Sequence, residues 1–210
     1  AALVFKEPDL GTTSVIAATA FTMFFVAGAR LWQFGAMGTL GVLAAILVGL
    51  REYQLERIRI FLDPWQDPLG AGFHTIQGLL ALGLGGIFGA GLGESRLAGG
   101  LYLPNAWNDF IFAIIGEEFG FVGAAGVVAL FLLLAYAGIR TALRAPDTFG
   151  ALLAVGITAW LCLQAFINIC AMLGMIPLTG LPLPFVSHGG TALAATLIMC
   201  GFILNVAAHR

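Results

Sequence analysis

Residues 148–209 read TFGALLAVGITAWLCLQAFINICAMLGMIPLTGLPLPFVSHGGTALAATLIMCGFILNVAAH and hold no Lys, Arg, Asp or Glu. One membrane crossing takes about 20 apolar residues as helix across a ~30 Å hydrocarbon core. The run is too long for one crossing and breaks at 174–184, GMIPLTGLPLP, where three prolines and two glycines end a helix. It divides into a span near 148–173 and another near 190–208. Working outward, residues 119–139, 31–50 and 10–29 are also uncharged. This predicts an all-α polytopic membrane protein with five full transmembrane helices. The apolar start at 1–5, AALVF, reads as the end of a sixth, so the chain is expected to be a piece of a longer protein, one membrane domain over 1–210.

Composition agrees. Hydrophobic residues make up 60% of the 210 and charged residues 10%, against roughly 25% charged in soluble domains. Mean hydropathy is +1.00. Glycine, 29 residues, suits close helix packing in lipid. A net charge of −2 gives no support to nucleic-acid binding. Cys162, Cys170 and Cys200 lie in apolar runs without metal spacing and read as packing residues.

Between the second and third spans lies a different region, 51–109. With Glu117 and Glu118 just beyond it, residues 51–118 hold 12 of the 20 charges. Residues 51–62 place Leu55, Ile58 and Leu62 at helical spacing opposite a charged face, as in a helix lying in the membrane interface. DPWQDP at 63–68 is a turn. Residues 68–93 are uncharged but hold nine glycines, which predicts a re-entrant or interfacial segment buried against protein. Spans alternate in direction, so Arg30, Arg140, Arg144 and Arg210 share one side, and Lys6, the large loop and the proline-rich loop the other. Four basic residues against five leave the positive-inside rule indecisive.

The chemistry concentrates where the loop meets the third span: YLPNAWNDFIFAIIGEEFG, 102–120. Asp109 reads two ways. Asp favours helix N-caps, and a carboxylate at the mouth of a membrane cavity is a candidate general base. A helix N-terminus would weaken that base, whereas desolvation would strengthen it. Glu117 lies about two turns deeper and is the acid able to share a cavity with Asp109; Glu118 points away. An acid inside a span is either functional or a helix–helix hydrogen-bonding group.

The chain resembles the SEDS family (shape, elongation, division and sporulation; FtsW/RodA-like). Five blocks carry the likeness: 7–12 EPDLGT, 62–72 LDPWQDPLGAG, 89–93 GAGLG, 102–120, and 177–190 PLTGLPLPFVSHGG. Leu31-Trp32-Gln33-Phe34 leans toward the FtsW branch. The resemblance implies a SEDS-type helical bundle, the later half of a ten-span protein in the bacterial plasma membrane. It implies that the 51–109 loop and the active site are extracytoplasmic. It also implies polymerisation of lipid II into β-1,4 glycan strands for cell division or cell shape, with inversion and a lipid pyrophosphate leaving group. The essential Asp of the family's LP-x-x-x-x-DFIF pattern falls on Asp109. Asn105, Trp107 and Asn108 stand where members commonly carry Glu, His and Thr, and His188 where Tyr is usual.

On this reading Asp109 is the base. Arg96 and Lys6 are candidates for the pyrophosphate, and Asn105 and Trp107 for hydrogen bonding to and stacking on a sugar. Ser187 and His188, at the start of the last span, line the cavity or simply open a helix. His74 and Gln77 share a helical face in the glycine-rich segment, and Asn168 is read as an interhelical hydrogen bond. No cofactor is assigned; a divalent cation (Mg or Mn) beside Asp109 is compatible, with no ligand cluster to specify it. Expected partners are lipid II, the undecaprenyl-pyrophosphate-linked strand, a class B penicillin-binding protein, and divisome or elongasome proteins. The competing reading is a lipid II flippase, since broken helices and intramembrane acids also suit transporters. A flippase needs a polar path through the whole membrane, whereas here the charges crowd to one face.

Overall fold

The computed structural model describes residues 10–30, 32–36, 38–39, 52–95 and 108–209. Every regular element among them is helical: α1 Leu10–Val26, α2 Glu52–Leu62, a 3-10 turn Pro64–Gln66, α3 Phe73–Gly85, α4 Ile111–Leu143, α5 Thr148–Met172 and α6 Gly190–Ala208. Among the described residues, α4, α5 and α6 are long and apolar enough to cross a membrane, and the described part of α1 adds 17 apolar residues. The expected span 31–50 lies largely outside the described residues, as do residues 1–9.

Helix α5 is the central post, packed by α1, α4 and α6. Small residues permit this. A Cβ on Gly138 of α4 would meet the Thr158 side chain of α5, and one on Gly156 of α5 would lie 2.8 Å from Met23 Sδ of α1. Close approach of this kind drives helix association where lipid removes the hydrophobic incentive. Asp147 opens α5, accepting from the Gly150 N–H at 2.9 Å, an N-cap. Large apolar side chains such as Phe121, Leu132, Leu133 and Leu204 are exposed on the outer faces, as a bilayer solvent allows.

The third span differs from expectation. Helix α4 covers 33 residues, Ile111–Leu143, interrupted at Gly120 (φ 66°, ψ −161°). The stretch 121–143 alone spans about 35 Å at 1.5 Å per residue, so 111–119 is a separate half-helix on the Asp109 side. A break inside a membrane helix exposes backbone groups that nothing in lipid satisfies. The turn after α3 supplies the partners. Ala90 and Gly91 N–H donate to the Glu117 and Glu118 carbonyls at 2.9 and 3.1 Å, while Phe121 and Val122 N–H donate to the Gly86 and Ile87 carbonyls at 2.9 and 3.2 Å. The fit requires glycine: a Cβ on Gly89 (φ +83°) would overlap the Glu118 carbonyl, and one on Gly120 would lie 2.4 Å from Gly89 N. The glycine-rich segment is thus α3, a 13-residue apolar helix packed on α4, plus the turn that stitches the break.

The 63–72 block is a self-bonded corner. Asp63 Oδ1 accepts from Trp65 N–H at 3.1 Å, and the Asp67 carboxylate accepts from Gly70 and Ala71 N–H at 3.0 Å each. Both acids are held by backbone turns. Helix α2 turns outward the apolar stripe read from its sequence. Leu55, Ile58 and Leu62 are exposed, and the inward side carries Arg57, Ile60 and Phe61. An outward apolar stripe suits contact with lipid, which leaves the charged Arg57 facing a protein-lined cavity.

Candidate functional site

The loop 177–188 and the turn 108–110 meet at one end of the bundle, opposite Arg140 and Arg144. Within the proline-rich loop the Leu183 carbonyl accepts from the Val186 and Ser187 N–H, and side chains bond several of the other backbone groups. On α5, Gln164 Nε2 donates to the Pro182 carbonyl at 2.9 Å. One turn on, Asn168 Nδ2 donates to the carbonyls of Leu181 at 2.6 Å and Asp109 at 3.0 Å. Arg57 Nη1 donates to the Leu178 carbonyl at 2.7 Å. Ser187 Oγ accepts from Leu183 N–H at 2.7 Å and donates to the Asn108 carbonyl at 2.6 Å. These bonds clamp the backbone on both sides of Asp109. Phe185 sits at φ 68° inside this loop, a left-handed conformation that costs a non-glycine residue about 1–3 kcal/mol and persists where surrounding contacts overdetermine it.

Asp109 itself is half-buried. It does not cap α4: the cap position is Phe110, which makes no side-chain capping bond. Burial pushes the Asp109 carboxyl above the usual carboxylate range, and the Arg57 guanidinium pulls part of the way back. Desolvation therefore prevails over the nearby cation. The side chain forms part of the wall between two cavities. One, about 270 Å³, is lined by Asn108, Gln164, Pro182, Phe185, Ser187 and His188 with Asp109. The other, about 220 Å³, brings Asp109 together with Arg57, His74, Asn168, Leu178 and Gly180. Arg57, His74 and Leu178 also line a third cavity of about 310 Å³ running out along α2 and α3. Two polar atoms at the second cavity's residues are buried without a hydrogen-bond partner, His74 Nδ1 and Asn168 Oδ1.

Of the residues read from sequence, Asp109, Ser187 and His188 share one cavity, and His74 joins Asp109 in the other. Gln77, one turn beyond His74, is outside the walls of both. Glu117 is 2% exposed and accepts from Ser95 Oγ at 2.6 Å; it is not in the walls of the Asp109 cavities. Its place is at the stitched break of α4. Asn168 bonds to backbone, linking α5 to two loops, instead of to another helix. Lys6, Arg96, Asn105 and Trp107 lie outside the described residues.

Sequence reasoning passed over Arg57 and Gln164. Arg57 was one charge among several on α2, and its direction depends on how that helix docks. Gln164 and Asn168 had a usable signal: two amides at i, i+4 on one face of an otherwise uncharged span. Among the described residues no group of three or more His, Cys, Asp or Glu converges as a metal shell, and Asp109 is the one carboxylate in the walls of its two cavities. These residues do not fit a resident divalent cation held by protein alone.

The family described as cell cycle protein (FtsW/RodA/SpoVE) matches residues 1–210. The chain is 46% identical to stage V sporulation protein E of Bacillus subtilis, over 99% of this chain and 57% of that protein. It is 44% identical to the probable peptidoglycan glycosyltransferase FtsW of Methylococcus capsulatus, over 98% of this chain and 52% of that protein. A solved chain, from work on structural coordination of polymerization and crosslinking by a peptidoglycan synthase complex, superposes with a TM-score of 0.74 at 33% identity, covering 99% of this chain and 57% of that one. The chain spans about half the length of the curated relatives it matches. With matching family, helices and superposition, this all-α, multi-pass membrane chain belongs to the FtsW/RodA/SpoVE family.

Proposed function

We propose that this chain carries the catalytic carboxylate of a peptidoglycan glycosyltransferase that polymerises lipid II, with Asp109 as general base on the extracytoplasmic face. The observation that carries the reading is Asp109 itself. It is half-buried between two cavities, leaves α4 uncapped, and has its pKa raised by desolvation. The carboxylates committed to structure have their oxygens bonded, to backbone at Asp63, Asp67 and Asp147 and to the Ser95 hydroxyl at Glu117.

The chemistry follows. The Asp109 carboxylate takes the proton from the 4-hydroxyl of the acceptor N-acetylglucosamine as that oxygen attacks the anomeric carbon of the lipid-linked donor strand. The new C–O bond forms on the face opposite the departing undecaprenyl diphosphate, which gives a β-1,4 link with inversion. A base whose pKa is raised by desolvation is stronger than an exposed carboxylate. The described cation nearest this chemistry is Arg57; Lys6 and Arg96 remain candidates on the same side. No resident metal is part of the proposal.

The names of the relatives support this reading. So does the solved synthase complex, whose coupling of polymerization to crosslinking favours a class B penicillin-binding protein as partner, within divisome or elongasome assemblies. Against the flippase, most charged groups of the described residues lie on the Asp109 side, with Arg30, Arg140, Arg144 and Asp147 on the other, and the α4 break is closed by backbone hydrogen bonds. The test is the full-length protein, purified and given labelled lipid II. Glycan polymer from wild type, and none from a folded Asp109→Asn variant, is the expected result. Lipid II crossing vesicle bilayers without polymer formation would overturn the assignment in favour of transport.

A further inference from the structure

The walls on the two sides of Asp109 differ chemically. The side shared with α2 and α3 carries a guanidinium, Arg57, and an imidazole, His74, whose Nδ1 is buried without a partner. It continues into the cavity along α2 and α3, which Arg57 and His74 also line. Among the described residues, the side formed by the proline-rich loop and the start of α6 holds no Lys or Arg. Its polar groups are Asn108, Gln164, Ser187, His188 and Thr196. A two-substrate glycosyl transfer has the matching asymmetry. The departing group is a dianionic or trianionic diphosphate that needs cationic and N–H donors. The incoming sugar is neutral at its reacting end and needs hydroxyl-matching donors and acceptors.

We propose that Asp109 divides a donor site from an acceptor site: Arg57 and His74 hold the prenyl diphosphate of the donor, and the cavity lined by Gln164, Ser187 and His188 receives the acceptor sugar. This rests on the reading of Asp109 as the base and adds which side each substrate enters. The acceptor O–H proton passes to Asp109, the acceptor oxygen bonds to the anomeric carbon, and the bond from that carbon to the phosphate oxygen breaks. Its electron pair leaves with the diphosphate onto the Arg57–His74 wall. His74 is a binding residue in this scheme. Its ring N–H donates to a phosphate oxygen, and Arg57, which donates through Nη1 to the Leu178 carbonyl, brings positive charge to the same wall.

The experiment uses the full-length protein in detergent, with undecaprenyl diphosphate as the binding probe and thermal melting as the check on folding. Losing a charged or charge-assisted hydrogen bond costs about tenfold or more in affinity. His74→Ala and Arg57→Ala are expected to raise the Kd for undecaprenyl diphosphate by about that factor, while Gln164→Ala and His188→Ala leave it unchanged. With a preformed lipid diphosphate-linked glycan held saturating, the KM for added lipid II should rise in Gln164→Ala and His188→Ala and stay put in His74→Ala. If Arg57→Ala melts early because the Leu178 anchor is lost, His74→Ala and Arg57→Lys carry the test. Diphosphate binding that weakens in the Gln164 and His188 variants, or in none of the four, overturns the division of sites and leaves the base assignment standing. A wild-type protein that does not bind undecaprenyl diphosphate overturns the glycosyltransferase reading underneath it.

Discussion

Asp109 and Glu117 lie eight positions apart and come from the same motif, yet their surroundings oppose each other. Glu117 itself is buried. The turn 86–91 closes the helix break, Ser95 donates to the carboxylate, and glycines let backbone meet backbone. Around Asp109 the backbone is clamped by Asn168 and Ser187 while the carboxyl borders cavities on two sides. One acid is buried and bonded at the break of a discontinuous helix, and the other borders open cavities. A membrane-embedded carboxylate therefore announces function only when its own oxygen atoms are not the ones satisfying the fold.

The largest effect expected of this contrast is at Asp109. Asp109→Asn in the full-length protein should lower polymerisation by ~10²–10⁴, the usual cost of removing a general base, measured as glycan product per unit time. Its stability should not fall. The native Asp109 binds its proton more tightly than the unfolded chain does, so its contribution to stability is fully present below the unfolded pKa and is lost as pH rises through the raised folded pKa. Above that folded pKa the carboxylate costs stability and the amide removes the cost, so the melting temperature there should hold or rise. A drop of several degrees would place Asp109 with the structural acids.

Next in size are the glycines at the stitched break. Gly89→Val must force a side chain into the Glu118 carbonyl from a left-handed backbone, and should abolish folding, seen as loss of monodisperse protein on gel filtration. Glu117 should respond more gently and in the opposite sense to Asp109. Glu117→Ala leaves the buried Ser95 hydroxyl without this acceptor and should cost about 1–3 kcal/mol of stability. Glu117→Gln keeps an acceptor and should restore most of it with polymerisation within a few-fold of wild type. Loss of activity in a stable Glu117→Gln protein would erase the contrast.

The smallest effect sharpens the electrostatics. On the proposed mechanism the reaction uses ionised Asp109, so the rate should fall with acidification at a pH above the usual carboxylate range. Arg57 pulls the Asp109 pKa down. Arg57→Ala should therefore move this acid limb to higher pH, and Arg57→Lys should keep it near wild type. The pH–rate profiles of the three proteins, with Asp109→Asn as the flat control, make the measurement. An unmoved limb in Arg57→Ala would mean that the two charges do not share a site.

Much of this was legible in residue order. Runs free of charge mark where helices cross lipid, because a buried charge is costly there, and α5 and α6 appear within a residue or two of expectation. Asp109 was marked by its position where a polar loop enters an apolar run. The break at Gly120 was not legible: one glycine in a hydrophobic helix is ordinary, and only the turn 86–91 arriving beside it makes the broken conformation affordable to the backbone. The identity of the groups facing Asp109 was hidden for the same reason. Arg57 is 52 positions away and Gln164 is 55, and nothing local says which side of a helix will meet which loop.

The sequence by itself determined the solvent of this protein, the approximate places of its crossings and the carboxylate at the mouth of the third long helix, all of which follow from local hydropathy and spacing. Only the tertiary structure decided which acid is occupied and which stands at a cavity, and which cation and amides face it. Those outcomes depend on how helices dock, and docking is set by close packing between residues that are far apart along the chain.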